Sequence, residues 1–327
     1  MGNRALTYAR ILATGSALPE RVVTNADLEK MVDTSDEWIR SRTGIRERRV
    51  AADGETTGDL AFRAAEQALH DAGVKASDLD MVVLGTTTPD IVFPSTACLI
   101  QDRLGANGCM AFDVNAACSG FVYALGVANN FVRTGQVKKA LVIGAETLTR
   151  MVDWTERETC VLFGDGAGAV VLEASDKPGI LATCMHADGG YKDLLYNPVG
   201  VSVGFKDEKN HGVRIHMKGR EVFKLAVKTL DALVDETLQA AGMRAEQLDW
   251  LIPHQANLRI IEATARRYGI SMDRVIVTVD QHANTSSGSV PLALDAAVRS
   301  GRVERGHNVL LEAFGGGITW ASALLRY

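Results

Sequence analysis

Two stretches of the chain repeat one another, and this duplication limits the possible folds more than any other feature. Residues 69–80 and 238–249 share leucine, alanine, glycine and aspartate at matching positions, with Gly73 equivalent to Gly242. Each copy has the pattern of a helix that ends at a glycine, a short loop and then an apolar strand. The sequence therefore predicts the same helix-loop-strand unit twice.

A second match follows at nearly the same spacing. Ser119-Gly120 opens a helix-length run that leads to the apolar strand 141–143, and Ser287-Gly288 opens another that leads to the strand 309–311. Strands that alternate with helices indicate parallel sheets covered by helices. We predict an α/β protein of two similar halves, 1–174 and 175–327, packed about a pseudo-twofold axis. Ligand sites commonly form where such halves meet.

The composition is that of an ordinary globular protein. The chain has 327 residues, 46% hydrophobic and 23% charged, which suggests two units rather than one core. A net charge of -5 argues against general nucleic-acid binding. No stretch approaches the roughly 20 apolar residues that cross a bilayer. Residues 1–6 contain no apolar signal-peptide region, and we expect a cytoplasmic protein.

The cysteines form no CxxC pair and no metal-ligand spacing. We therefore expect reduced thiols rather than a disulfide framework, and no metal site. The five positions are Cys98, Cys109, Cys118, Cys160 and Cys184.

Cys118 is the first candidate for chemistry. It closes the polar stretch 113–117 and stands immediately before an apolar, helix-length run. The unpaired N–H groups at a helix start stabilise a thiolate and can lower a cysteine pKa from about 8.5 to about 7 or below. A lone cysteine is more often a small buried apolar residue, so the assignment needs partners elsewhere in the chain.

The duplication supplies two such partners. His254 follows the strand of the second half, where Gly85 stands in the first, and Asn284 lies just before the helix that corresponds to the one after Cys118. Taken singly, a histidine after a strand is usually a structural hydrogen bonder and an asparagine before a helix is usually an N-cap. Their joint occurrence at duplicated positions predicts a shared pocket that contains Cys118, His254 and Asn284.

These segments resemble those of the β-ketoacyl-acyl-carrier-protein synthase III family, which initiates type II fatty-acid synthesis. The resemblance runs almost from end to end. It implies the thiolase-like fold, a five-layer α-β-α-β-α stack of two duplicated halves, and a homodimer. The segments that carry it are 32–39, the surroundings of Cys118, 163–168, 253–257, 284–286 and 312–317.

The resemblance also implies a mechanism. Cys118 takes the acyl group of a short acyl-CoA, and the backbone N–H groups of Cys118 and Gly316 form the oxyanion hole. Malonyl-acyl-carrier protein then loses carbon dioxide, and His254 and Asn284 donate hydrogen bonds to the resulting enolate. Both thioesters are substrates, so no cofactor is implied.

Further roles come from the family alone. Trp38 and Arg42 are one helical turn apart and are expected to hold CoA together with Arg157. The complete CoA set is Thr34, Trp38, Arg42, Arg157, Gly219 and Asn257, and the acyl pocket is assigned to Phe93, Phe163 and Phe314, with Phe93 reaching across the dimer.

A basic patch is expected to bind the acidic carrier protein. Arg259, Arg266 and Arg267 fall on one side of the helix after Asn257, and Lys224 would join them. A solvated helix face explains the same spacing equally well.

Four other interpretations stay open or are disfavoured. Degradative thiolases use a second cysteine near the C-terminus, and here no cysteine follows Cys184. Elongating synthases carry histidine where this chain has Asn284. A related secondary-metabolite condensing enzyme is the main alternative, and a catalytically silent thiolase-fold protein that only binds acyl-CoA is another.

Overall fold

The strands fall into two large sheets and two short pairs. The computed structural model describes residues 7–205 and 213–327, so residues 1–6, on which the signal-peptide expectation rests, lie outside it. The strands are β1 (Tyr8–Ala17), β2 (Val22–Thr24), β3 (Glu47–Arg49), β4 (Met81–Gly85), β5 (Met110–Val114), β6 (Lys139–Thr147), β7 (Asp165–Ser175), β8 (Ile180–Ala187), β9 (Leu195–Tyr196), β10 (His216–Met217), β11 (Trp250–Pro253), β12 (Asn308–Gly315) and β13 (Thr319–Arg326).

The helices lie mostly between these strands. Within the two described ranges, no helix is both long enough and apolar enough to cross a bilayer. The α-helices are α1 (Asn25–Leu28), α2 (Asp36–Thr43), α3 (Thr57–Ala72), α4 (Thr96–Leu104), α5 (Gly120–Arg133), α6 (Arg157–Cys160), α7 (Gly219–Ala241), α8 (Leu258–Arg267), α9 (Val279–His282) and α10 (Ser289–Arg299).

The two large sheets have the same strand order, which confirms the duplication. The first runs β1-β7-β6-β4-β5 and the second β8-β13-β12-β11, extended by a parallel bridge from Leu251 to Val275. The expectation of wholly parallel sheets is wrong. Only the strands joined through helices are parallel, whereas β7 and β13 run antiparallel to both of their neighbours. Three residues join β12 to β13, and so short a connection can only reverse the chain.

Five layers result from packing helices on and between the two sheets. The helices α5 and α10 lie in the middle, where Phe121, Leu125 and Leu294 share one buried cluster with strands of both sheets. The helix α3 covers the outer face of the first sheet, and α7 and α8 cover the second. The predicted five-layer arrangement is confirmed. We keep the boundary after residue 174 as a proposal; it falls at the end of β7, before the chain enters the second sheet.

The helix ends explain how the duplicated units begin and stop. The helices α3 and α7 end at Gly73 and Gly242, whose φ angles of 64° and 65° are left-handed and suit glycine. The second match is displaced by one residue from its predicted alignment. The 3-10 turns Ala117–Ser119 and Ser286–Gly288 correspond at the spacing of Gly73 and Gly242, so Cys118 is equivalent to Ser287. The sequence match paired Ser119-Gly120 with Ser287-Gly288 because the residues are identical, and this alignment is one residue away from the structural equivalence.

Close backbone contact between the halves should make Gly144 intolerant of a side chain. A Cβ atom there would lie 2.2 Å from the Ser287 carbonyl oxygen. We expect Gly144→Ala to lower the free energy of unfolding by about 1 to 3 kcal/mol, the usual cost of overpacking. Chemical denaturation measures it. Gly189→Ala is the control, because nothing lies within 4 Å of its Cβ position; equal stability of both variants would contradict the packing argument.

Candidate active site

One cavity of about 650 Å³ brings the three predicted residues together. Cys118 lies in the 3-10 turn that precedes α5, His254 follows the end of β11, and Asn284 stands before the equivalent turn that leads into α10. Each side chain is 7% exposed. The duplicated topology therefore places a thiol, an imidazole and an amide around one space between the halves.

Cys118 is held in a tightly packed turn. Ala117 before it has a left-handed φ of 46°, which costs free energy for a residue other than glycine. A Cβ atom on Gly315 would lie 2.6 Å from the Cys118 nitrogen, so only glycine fits there. The N–H groups of Cys118 and Gly316 both point at the thiol. These donors occupy the positions predicted for the oxyanion hole.

The predicted lowering of the Cys118 pKa is wrong for the free protein. Burial raises the pKa of the thiol to about 11, and the neighbouring Glu146 carboxylate adds to the rise. Hydrogen bonds from Ser286 and from the two backbone N–H groups act in the opposite direction but are outweighed. The helix start supplies the expected hydrogen-bond donors, but the loss of hydration raises the pKa more than these donors lower it.

His254 is a neutral imidazole in this setting. Burial lowers its pKa to about 3, and its backbone N–H donates to the Glu312 carbonyl oxygen at 2.8 Å. Its Nδ1 lies 2.5 Å from the Ser289 hydroxyl, which also accepts a weak hydrogen bond from the Gln255 N–H at 3.4 Å. This arrangement favours a Ser289 hydroxyl that donates to Nδ1, which places the ring hydrogen on Nε2. The ring can then act as a hydrogen-bond donor.

Asn284 is fixed by backbone hydrogen bonds on every side. Its N–H donates to the Leu162 carbonyl at 2.9 Å, and its own carbonyl accepts from Gly164 at 3.0 Å. Its side-chain oxygen accepts from the Ser286 N–H at 2.9 Å. The side-chain NH₂ group is thereby left to donate elsewhere, which suits the predicted role at an enolate oxygen.

The cavity also includes part of the predicted CoA set. Arg42, Gly219 and Asn257 line it, and Asn257 donates from Nδ2 to the Arg42 carbonyl at 3.1 Å. Trp38 lies beside it in α2, with the guanidinium of Arg42 5.2 Å from its ring centre and that of Arg157 4.8 Å away. Thr34 and Arg157 do not line the cavity. Arg157 instead donates to the Asp33 carbonyl at 2.9 Å.

A second, mostly apolar cavity of about 110 Å³ lies on another side of Cys118. Phe163 lines both cavities, whereas Phe314 lines the large one beside His254. Phe93 belongs to neither and is 82% exposed in the loop after β4, next to exposed Ile91 and Val92. Only two of the three predicted acyl-pocket rings therefore lie at the site within one chain.

The predicted basic patch divides into two pairs. Lys224 on α7 and Arg259 on α8 line the large cavity and are exposed. Arg266 and Arg267 are exposed at the far end of α8, outside the cavity lining, and Arg267 lies 3.9 Å from the Asp231 carboxylate. The first pair is thus at the entrance, and the second is more distant.

Family models match both halves of the chain. The model for 3-oxoacyl-[acyl-carrier-protein] synthase III matches residues 112–189, and the model for the C-terminal part of the same family matches residues 238–327. A β-ketoacyl-[acyl-carrier-protein] synthase III from Xanthomonas campestris pv. campestris is 68% identical over 320 residues, 98% of each chain. The chain belongs to the 3-oxoacyl-[acyl-carrier-protein] synthase III family.

Solved structures agree with this family membership. The 3-oxoacyl-[acyl-carrier-protein] synthase III of Aquifex aeolicus is 49% identical, covers 98% of this chain and 100% of its own, and superposes with a TM-score of 0.92. The priming β-ketosynthase of the R1128 polyketide pathway superposes with a TM-score of 0.94 but is only 37% identical over 99% of this chain and 98% of its own. The higher identity to fatty-acid synthases disfavours the secondary-metabolite alternative.

Sequence reasoning missed several residues of the synthase III site. Most come from short or irregular segments whose sequences have no helix or strand period, so no pattern marked them. Ser286 was part of a motif but had no role, and the buried Glu146 had none either, although an acidic residue at the end of an apolar strand is a usable signal. The missed lining residues include Thr87, Met151, Leu162, Leu195, Ile215, Met217, Phe223, Ile260 and Ser286.

The raised thiol pKa should be visible in the alkylation of Cys118. Only the thiolate reacts with iodoacetamide, so at pH 8 a thiol of pKa about 11 is ionised in about one molecule per thousand. We expect the alkylation rate of the Cys118 peptide, followed by mass spectrometry, to keep rising from pH 7 through pH 10. Cys118→Ser verifies the peptide assignment. A rate that levels off below pH 8 would show that the helix start, rather than burial, controls the thiol.

Proposed function

We propose that this protein is the initiating condensing enzyme of type II fatty-acid synthesis. It joins the acyl group of acetyl-CoA, or another short acyl-CoA, to malonyl-acyl-carrier protein and releases CoA, carbon dioxide and 3-oxoacyl-acyl-carrier protein. The observation that carries the proposal is the meeting of Cys118, His254 and Asn284 in one cavity. Membership of the synthase III family supports it independently.

The first half-reaction transfers the acyl group to Cys118. The sulfur loses its proton, attacks the thioester carbonyl carbon and forms a tetrahedral oxyanion, and the carbon–sulfur bond to CoA then breaks. The N–H groups of Cys118 and Gly316 already point at the thiol, so they are placed to donate to this oxyanion. The proton lost by Cys118 balances the one that the departing CoA thiolate gains.

The second half-reaction forms the new carbon–carbon bond. The malonyl group loses carbon dioxide, and the charge left behind is shared with the thioester oxygen as an enolate. Neutral His254 and the Asn284 NH₂ group donate hydrogen bonds to that oxygen. The enolate carbon attacks the acyl carbonyl and displaces the Cys118 thiolate, which takes a proton from solvent. The two thioesters supply all the reacting atoms, and no further cofactor takes part.

The CoA side of the cavity is formed by residues from both halves. We assign the nucleotide end of CoA to the Trp38 ring and the guanidinium groups of Arg42 and Arg157, since a base can stack where these groups now contact each other. Arg42, Gly219 and Asn257 line the passage to Cys118. Thr34 completes the assigned set and lies two residues before α2, whose residue Trp38 takes part.

A homodimer belongs to the same proposal. The exposed apolar residues Ile91, Val92 and Phe93 form a continuous stretch, which is unfavourable in water and typical of an interface. In a dimer, Phe93 would close the partner's small cavity beside Cys118. A cytoplasmic location remains a prediction from the sequence.

His254→Ala should separate the two half-reactions. Without the imidazole, the enolate loses one of two donors, and the loss of such a donor typically costs about 10²-fold or more. We expect Cys118 to be acylated by labelled acetyl-CoA almost as in the wild type, while condensation with malonyl-acyl-carrier protein falls by about 10²-fold. Mass spectrometry of the Cys118 peptide and of the product measures the two steps.

Two results would contradict this assignment. Equal losses in both half-reactions would make His254 a general base for Cys118 rather than an enolate donor. Failure of the wild type to form acyl-Cys118 with any short acyl-CoA would instead support the silent acyl-CoA-binding protein. Cys118→Ser is the control for the label.

The entrance residues Lys224 and Arg259 should bind the acidic carrier protein. We expect Lys224→Glu with Arg259→Glu to raise the KM for malonyl-acyl-carrier protein by about 10-fold at low salt and to leave acyl-CoA kinetics nearly unchanged. The two changes replace attraction to the acidic carrier protein by repulsion, and low salt leaves this long-range interaction unscreened. Arg244→Glu is the control: it is exposed just beyond the far end of α7, whose last residue Ala241 lies about 26 Å along the helix axis from Lys224. Equal effects of all three changes would exclude a local patch.

A further inference from the structure

Glu146 is a buried acid beside the reaction centre that the mechanism above does not use. It stands near the end of β6 with no exposed surface. Its carboxylate accepts hydrogen bonds from the Thr87 N–H at 3.1 Å, the Thr87 hydroxyl at 3.0 Å and the Thr88 hydroxyl at 2.7 Å. All of these donors come from the turn after β4, in the first half. The carboxylate therefore has enough donors to be tolerated without a cationic partner.

The same carboxylate also binds the second half of the chain. The Ser286 hydroxyl donates to Oε1 at 3.2 Å, and the Ser287 hydroxyl lies 3.0 Å from the same oxygen. Ser287 has a shorter contact with the Gly85 carbonyl at 2.7 Å, and its single proton cannot serve both. Ser286 is therefore the clear link between Glu146 and the turn that follows Asn284.

Ser286 needs such a link because its backbone is strained. Its φ of 49° is left-handed, a conformation that residues other than glycine keep only when their surroundings hold them. From this position its N–H donates to the Asn284 side-chain oxygen at 2.9 Å. A change in the Ser286 backbone would thus move the N–H group that holds the Asn284 side-chain amide in place.

The duplication provides an internal comparison. Asn115 and Ala117 are equivalent to Asn284 and Ser286, at the spacing of Gly73 and Gly242, and Ala117 has nearly the same φ of 46°. Ala117 has no hydroxyl group, and the residue equivalent to Glu146 in the second half is Gly315, which has no carboxylate. In this untethered copy, the N–H to asparagine-oxygen distance is 3.5 Å instead of 2.9 Å. The tether occurs only in the copy that carries the proposed enolate donor.

We infer that Glu146 is a positioning residue for the condensation step: its carboxylate holds Ser286, and Ser286 fixes the side-chain amide of Asn284 beside Cys118. This inference rests on the proposed function. The Ser286 hydroxyl is within hydrogen-bond reach of both the Cys118 sulfur and Glu146 Oε1, and its single hydrogen can serve only one of them. The inference assigns that hydrogen to the Glu146 carboxylate, which is the stronger acceptor in the resting site. The carboxylate therefore withholds one hydrogen bond from the resting thiol while it orders the donor for the enolate.

Glu146→Gln should have opposite effects on the two parts of the site. With the negative charge gone, Ser286 is free to donate to Cys118, so alkylation of Cys118 by iodoacetamide at pH 7.5 should rise by a few-fold. Acylation by acetyl-CoA should stay within about 3-fold of the wild type. Condensation should fall by about 10- to 10²-fold, since a displacement of about 1 Å of a positioned group costs that much. A loss of stability alone would not produce opposite signs.

Asp295→Asn is the matched control. Asp295 is another buried carboxylate, and it binds Thr14, Ser16 and Arg299 away from both cavities. Its replacement should lower the unfolding temperature without changing the ratio of condensation to acylation. The same ratio in Glu146→Gln as in Asp295→Asn would overturn the inference and leave Glu146 with a structural role only.

Ser286→Ala tests the link itself. If Glu146 acts through Ser286, the double variant should condense no more slowly than the worse single variant; independent effects would multiply and would overturn the inference. Should Glu146→Gln fail to fold, Ser286→Ala alone decides, because it must lose condensation and keep acylation. A wild type that does not condense would instead reject the proposed function, so the two failures are distinguishable.

Discussion

The close approach of the two halves at the starts of α5 and α10 is the constraint on which the site depends. Gly144 and Gly315 each come within a forbidden Cβ distance of the turn contributed by the other half, at Ser287 and at Cys118 respectively. Gly315 is equivalent to Glu146 rather than to Gly144, so the two contacts lie near one another on matching strands without being counterparts. Because each turn packs against a strand of the opposite half in this way, the backbone on either side of the turn has few alternative conformations. A thiol, an imidazole and an amide can then be held around one space without any of them lying on a mobile loop.

Burial gives this site its electrostatic character as well as its geometry. It raises the pKa of Cys118 to about 11 and lowers that of His254 to about 3, so both groups are neutral at pH 7. A neutral imidazole that carries its hydrogen on Nε2 is a donor, which suits an enolate. A neutral thiol in the resting state must be ionised during acylation, and the N–H groups of Cys118 and Gly316 stabilise the charge on the sulfur and are the donors proposed for the oxyanion. The same desolvation therefore protects the nucleophile at rest and strengthens the donors when charge develops.

The duplication made much of this predictable from sequence. The glycine that ends each helix, the apolar strand that follows and the residue after that strand are local features, and they placed His254 and Asn284 correctly relative to Cys118. The direction of β7 and β13 was not local, since it depends on how the preceding connection returns to the sheet, residues 148–164 for β7 and three residues for β13, and the parallel prediction was wrong there. The predicted lowering of the Cys118 pKa was also wrong, because the sequence shows that the thiol precedes a helix but does not show that the opposite half buries it. The lining residues Leu195, Ile215 and Met217 come from short strands and irregular chain without a period.

The comparison of the duplicated turns shows how two equal copies acquired different tasks. Both turns begin with an asparagine whose oxygen accepts from the residue two positions on, and both contain a left-handed residue other than glycine. The first copy places cysteine next and packs against Gly315; the second places Ser287 next and packs beside Glu146. Glycine leaves room for the backbone N–H groups to reach the sulfur, whereas the Glu146 carboxylate binds the Ser286 hydroxyl in the turn that follows Asn284. The exchange of glycine for glutamate at equivalent strand positions, together with the exchange of cysteine for serine in the turns, is thus the difference that underlies the proposed division between a half that carries the acyl group and a half that prepares the carbanion.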